Sequence, residues 1–234
     1  GSEMCIRDSD YTLSAIAVSR APRPAEGSYM PVFLPGVSVA VSMASSMNIP
    51  VYDTTHQEGH IAAGIYSAVE KPKRNHFLAV HLSGGTSEIL SVKQTKRGYT
   101  IDQIGGTLDL HAGQLVDRIG VLLGFPFPAG AYVEQVAQES SQDFKRIPSS
   151  VKGYYFHFSG AEAEAKRRIN NGEAKAEVAR AIEHVIALSL EKSLKKAVMA
   201  GYPKEILLVG GVAQNQYICL LYTSDAADEE DSVD

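Results

Sequence analysis

His56 and His60 stand four residues apart in the run HisGlnGluGlyHis. That interval places both imidazoles on one face of a helix, where two ring nitrogens can grip a single metal ion. The run is not the zinc-protease HExxH, because Gln57 holds the second position and the acid is Glu58, turned about 200° around a helix from His56. A hydrolytic base there points away from the metal. The same spacing also suits two surface or capping histidines, and the pair alone leaves both readings open.

Two glycine-bearing turns come next. SerGlyGlyThr at residues 83–86 lies between two apolar runs, and its glycines let backbone N–H groups approach a phosphate without interference from a Cβ. A plain hairpin turn fits the same residues. GlyGlyValAlaGlnAsn at residues 210–215 follows an apolar run and opens a helix. It combines close backbone approach with a helix N-terminus, and Asn215 can hydrogen-bond a hydroxyl or a base; a tight strand-to-helix turn is the plainer reading. Neither run is the GxGxxG dinucleotide fingerprint, and no Walker lysine motif occurs. Asp109 and Asp117 flank Gly113 near a helix start, placed to orient a ribose or a metal-bound group, or simply to sit solvated at the helix end.

The elements that must position these residues alternate. Residues 14–18 read as a short buried strand, followed by the obligatory loop ArgAlaProArgPro. Residues 37–47 are small and apolar on most faces and too long for a strand, so they read as a buried helix ending at AsnIlePro. A strand begins at 51–53, a helix covers 58–69, and residues 77–82 and 88–92 form a hairpin about the SerGlyGlyThrSer turn. Residues 112–123 form an amphipathic helix stopped by Gly124 and the following ProPhePro. Ser159 is placed to cap the next helix, residues 174–200 supply one or two more, and a strand at 206–209 runs into a helix near Ala213. The expected class is α/β.

Composition bounds the partners. With 44% hydrophobic and 21% charged residues in 234, the chain is too apolar for disorder. Its apolar runs fall short of the ~20 residues a membrane helix requires, so no membrane partner is expected and the expected location is cytoplasmic. The net charge of −5 depends on the ends. Residues 1–9 and 219–234 read as translated adapters of transposase-based sequencing libraries, and they carry −7 between them, which leaves +2 on residues 10–218. Both cysteines, Cys5 and Cys219, fall in those ends and carry no disulfide signal.

The order of the motifs resembles one family. AIAVSR, PGVSVAVSMASSMNIPVY, HQEGH, LAVHLSGGTSEIL, GGTLDLHAGQLVDRIGVLLGFPFPAG, FHFSG and LLVGGVAQN follow the sequence of elements of the TsaD/Gcp proteins, the tRNA threonylcarbamoyladenosine transferases once labelled O-sialoglycoprotein endopeptidases. The resemblance implies an actin/Hsp70/sugar-kinase-like (ribonuclease H-like) two-lobed fold, present here as an incomplete fragment. It implies transfer of the threonylcarbamoyl group from threonylcarbamoyl-adenylate to N6 of adenosine 37 in tRNA. His56 and His60 are then the implied ligands of one divalent metal ion, iron or zinc, acting as a Lewis acid. His81, Leu82, Ser83, Gly84 and Gly85 are implied to line the phosphate and threonylcarbamoyl region through backbone groups, and Asp117, Gly130 and Asn215 to hold ribose and adenine. The implied partners are tRNA, a small Gcp-like paralog and an ATPase. No covalent nucleophile is required, since the amine attacks an activated carbonyl and positioning supplies the rate.

The departures from the family pattern are local. AlaProArgProAlaGluGlySerTyrMet follows Arg20 in place of a glycine-rich loop, SerGlyGlyThrSer replaces SerGlyGlyHisThr, and AspLeuHisAlaGly replaces DDAAG, so Leu110 and His111 are atypical. They are what a diverged paralog would show, and a noncatalytic structural subunit or a related small-molecule carbamoyltransferase are the alternatives. The third metal ligand, an aspartate in the resemblance, is not found in this chain. Two histidines alone make a weak site, and the fragment is expected to bind metal poorly and to be inactive.

Overall fold

The computed structural model describes residues 12–68, 70–96 and 98–219. The assignment of residues 1–9 lies outside the described residues, as does that of 219–234 except for Cys219, whose N–H donates to the Asn215 carbonyl at 3.1 Å. The chain divides into two compact units, Gly1–Ala62 and Ala63–Asp234.

In the first unit, β1 (Ile16–Ala21) pairs in parallel with β2 (Val51–Thr55), and α1 (Leu34–Met47) crosses between them. A parallel pair needs such a crossover. The strand expected at 14–18 is displaced toward the loop, and only Ala21 in it is buried. The helix expected to be buried has just Ala40 and Ala44 inside, while Val39, Val41, Met43 and Met47 are exposed. A two-stranded sheet covers one stripe of a helix, too little surface to bury its apolar remainder. Helix α2 (His56–Ser67) follows β2 directly. It starts two residues before the expected 58 because Thr55 and Glu58 form a reciprocal capping box: Glu58 N–H donates to Thr55 Oγ1 (3.3 Å) and Thr55 N–H to Glu58 Oε2 (2.9 Å).

The second unit is built on a six-stranded sheet in the order β6-β7-β5-β4-β3-β8. Strands β3 (His76–Leu82), β4 (Ser87–Thr95) and β5 (Gly98–Thr107) form an antiparallel meander, so the expected hairpin is present with a third strand that the sequence reading left out. Helices α3 (Ala112–Leu122), α4 (Gly130–Ala137), α5 (Ser159–Asn170) and α6 (Lys175–Met199) intervene, with the short hairpin β6 (Ser150–Lys152) and β7 (Tyr155–His157). The chain then returns as β8 (Ile206–Val209), parallel to β3. Within the expected 174–200 there is one 25-residue helix, Lys175–Met199, and the helix expected near Ala213 is a 3₁₀ turn at Gly211–Gln214 followed by helical residues 216–219. Leu78, Val80 and Leu82 of β3 share one core with Leu115 and Ile119 of α3, Phe156, Phe158, and Ile182, Val185 and Ile186 of α6. The α/β class holds. No helix among the described residues is long and apolar enough to cross a membrane.

Ser159 is the first residue of α5 and not its cap. The capping acceptor comes from far upstream: Asp109 accepts from the N–H groups of Phe158 (2.8 Å) and Ser159 (3.1 Å) and from Ser159 Oγ (2.6 Å). Burial alone would raise the Asp109 carboxyl, but these hydrogen bonds and that from Leu110 N–H outweigh it and hold the group at about 2 against its ordinary 3.8. Asp109→Asn removes the charge from these hydrogen bonds and is expected to cost about 1 kcal/mol and so to lower the melting temperature, followed by circular dichroism, by about 2–4 °C. A depressed carboxyl stabilises above its unfolded pKa, so the gap between wild type and variant should close as pH falls from about 3.8 toward about 2.

Candidate functional site

Two arrangements carry the candidate residues, one in each unit. In the first unit the α2 capping box fixes the helix start, and the four-residue interval then stacks His56 and His60. Their Nε2 atoms face each other at 3.0 Å, with ring centroids 4.4 Å apart in an edge-on arrangement. One ring donates and the other accepts, so the contact holds a single proton between two nitrogens aimed at one point. Burial, and secondarily the neighbouring His56, lowers the pKa of His60 and favours its neutral, ligating form. The pair therefore fits two positions of a metal site. Among the described residues, no group of three or more His, Cys, Asp or Glu is gathered to hold a metal ion. Glu58 is engaged in the cap, accepting also from Thr54 Oγ1 and Thr55 Oγ1.

In the second unit the residues after β3 build a cavity of about 390 Å³. Five sequence-predicted residues line it: Ser83, Gly84, Asp117, Gly130 and Asn215. Gly85 belongs to the same turn but does not line it. His81 and Leu82 are buried strand residues beneath, 6% and 0% exposed. Within the turn, Ser83 N–H donates to the Thr86 carbonyl (2.7 Å) and Gly85 N–H to Ser83 Oγ (3.2 Å). These bonds leave less of the turn's amide surface for a phosphate than the sequence suggests.

Helix α3 begins against that turn. Ala112 N–H donates to Ser87 Oγ at 2.8 Å and Gly113 N–H to the Ser83 carbonyl at 3.2 Å. A Cβ on Gly113 would lie 2.6 Å from Gly84 N and 2.7 Å from Ser83 O, both backbone atoms that cannot step aside. One helical turn on, Asp117 Oδ1 accepts from Ala129 N–H at 2.8 Å and so fixes the entry to α4 at Gly130. Asp109, the other candidate carboxylate, is occupied at the start of α5 and does not line the cavity.

Sequence reading missed two carboxylates in the cavity wall, Glu134 and Glu183. Glu134 Oε1 accepts from Gln216 N–H at 2.7 Å. Glu183 is 1% exposed on α6; burial pushes its carboxyl up to about 7, and the hydrogen bond from Asn215 and the Arg180 charge pull it down less than burial lifts it. A single acidic residue amid ArgAlaIleGluHisValIleAla was the available signal. With Asp117, these groups give the cavity wall hydrogen-bond acceptors suited to ribose hydroxyls and base N–H groups. Gly113→Ala should therefore cost about 1–3 kcal/mol and shift the amide signals of residues 83–85, read by thermal melting and by NMR. Unchanged stability together with unchanged signals would contradict this packing.

The structure resembles HypF from T. kodakarensis, with a TM-score of 0.65 at 15% identity over 92% of this chain and 37% of that one. It also resembles full-length HypF in the phosphate- and nucleotide-bound form, with a TM-score of 0.63 at 12% identity over 92% and 35%. These likenesses support the actin/Hsp70/sugar-kinase-like class. The tRNA N6-adenosine threonylcarbamoyltransferase of Thermus thermophilus is 32% identical over 92% of this chain and 63% of its own. That of Carboxydothermus hydrogenoformans is 30% identical over 87% and 59%, and that of Bifidobacterium adolescentis 33% over 88% and 61%. The chain thus spans about three-fifths of the length of the relatives it matches. The family model described as TsaD: tRNA N6-adenosine threonylcarbamoyltransferase matches residues 6–230, and the chain belongs to that family.

Proposed function

We propose that this chain supplies the nucleotide-handling part of a tRNA N6-adenosine threonylcarbamoyltransferase, which moves the threonylcarbamoyl group of threonylcarbamoyl-adenylate to N6 of adenosine 37 in tRNA. The observation that carries this reading is the convergence of Ser83, Gly84, Asp117, Gly130 and Asn215 on one cavity in a chain of this family. Asp117, Glu134 and Asn215 suit the nucleoside portion, and Ser83 and Gly84 at the rim suit the phosphate end. In the transfer, N6 forms a C–N bond to the carbamoyl carbon, the carbonyl–phosphate C–O bond breaks with departure of AMP, and the N6 proton is lost. The residues named here bind and orient the donor, and orientation is the larger part of such a rate.

The proposed metal is one divalent ion, iron or zinc, held in part by His56 and His60. When bound, it would supply Lewis-acid polarisation. The proposed setting is the cytoplasm, in an assembly with tRNA, a small Gcp-like paralog and an ATPase. A core charge of +2 on residues 10–218 suits a subunit that shares its grip on tRNA with others. The donor site is tested with AMP as probe. Titration calorimetry should show binding to this chain, and Asn215→Ala should weaken it about tenfold, a loss of about 1.4 kcal/mol. AMP binding indifferent to both Asn215→Ala and Asp117→Ala would overturn the assignment. For the transfer itself, the full-length protein should restore the tRNA modification in cells lacking the enzyme.

A further inference from the structure

Helix α6 is apolar around Glu183: Val178, Ile182, Val185 and Ile186 are all at most 1% exposed. A carboxylate in such surroundings is costly to desolvate unless both its oxygens are engaged. They are. Oε2 accepts from Arg180 Nη1 at 2.7 Å, and Oε1 accepts from Asn215 Nδ2 at 2.6 Å. Asn215 is held from its other side as well, because Oδ1 accepts from Ile218 N–H at 3.0 Å. A backbone N–H can only donate, and a carboxylate can only accept, so the two contacts fix which end of the carboxamide points which way. One Nδ2 proton is left over beside the cavity that Asn215 and Glu183 both line.

We propose that Glu183 is a positioning residue that locks the Asn215 carboxamide in one orientation, so that its remaining Nδ2–H is presented to an acceptor atom of an adenine nucleotide in the cavity. The nucleotide half of this statement rests on the donor-site reading above; the locking half rests on the two hydrogen bonds. The charged and titratable groups facing Glu183 are Arg180 on α6, Glu134 on α4, and Tyr217 after the 3₁₀ turn, whose ring lies under the Arg180 guanidinium at 4.1 Å. Burial by the apolar neighbours places the Glu183 carboxyl at about 7, with Arg180 lowering it and Glu134 raising it. Near-neutral titration of this carboxyl gives the lock a spectroscopic signature.

The test is an NMR titration of the wild-type chain and its variants, with the Asn215 side-chain amide assigned by its absence in Asn215→Ala. In wild type that signal should move with a midpoint near pH 7; in Glu183→Gln, which keeps one acceptor oxygen and removes the titrating group, it should stay flat through the same range. With AMP as probe, Glu183→Leu should weaken binding about tenfold, whereas in the Asn215→Ala background the same substitution should change it less than about twofold. An Asn215 signal indifferent to Glu183, or equal losses of AMP affinity with and without Asn215, would overturn the proposal in favour of a purely structural Glu183. Should AMP bind to no variant and not to wild type, the donor-site reading and the nucleotide half fall together, while the amide titration still decides the lock.

Discussion

The second unit depends on one close approach, the N-terminus of α3 resting on the backbone of the β3–β4 turn. Gly113 is what permits it, because any Cβ there would overlap Gly84 N and Ser83 O, at 2.6 and 2.7 Å. The contact does more than pack a helix on a sheet. With Gly113 N–H on the Ser83 carbonyl and Ala112 N–H on Ser87 Oγ, two of the amides that a helix start leaves unpaired are satisfied by the strand-to-strand connection. Asp117, four residues on, therefore stands on the same face as Gly113. Its bond to Ala129 N–H places the start of α4 at Gly130. One contact thus sets three walls of the cavity in sequence.

The remaining wall is set by a second close approach. Gly210 has φ of +100°, and a Cβ on it would lie 2.2 Å from the Leu82 carbonyl oxygen. Only glycine turns the chain there and lets it cross the end of β3. The crossing brings Gly211–Gln214 and Asn215 over α6, where Glu183 receives Asn215. Both walls are anchored on β3, whose side chains are buried from Phe77 to Leu82, so side-chain packing holds the strand while its end supplies the backbone contacts.

What was legible in the sequence was local. The SerGlyGlyThrSer turn, the Gly124 stop of α3 and the GlyGly break after β8 all follow from residue-level conformational preference, and the structure has a turn or stop at each. The capping box at Thr55 and Glu58 is equally legible, since Ser/Thr-x-x-Glu marks a helix start, and it puts that start two residues before the 58 expected from the apolar run. Asp109 was not readable, because its partners at Phe158 and Ser159 lie 49 and 50 residues away. Glu183 is a similar case: its acidity in an apolar helix was visible, but the partner 32 residues later was not. Burial of α1 failed for a different reason, since periodicity reports that a helix has apolar faces and not whether enough neighbouring surface exists to cover them.

The histidine pair shows how a helix start can bring two imidazole nitrogens face to face without any metal-specific motif. Burial, and secondarily the neighbouring His56, lowers the pKa of His60. That favours the neutral imidazole of His60, the form in which a histidine ligates a divalent ion. Glu58 accepts from Thr54 and Thr55, which places negative charge at the positive end of the helix dipole without occupying the face shared by His56 and His60. The acid that fails as a hydrolytic base thus has a different role, as the reciprocal cap of Thr55 that sets where α2 begins.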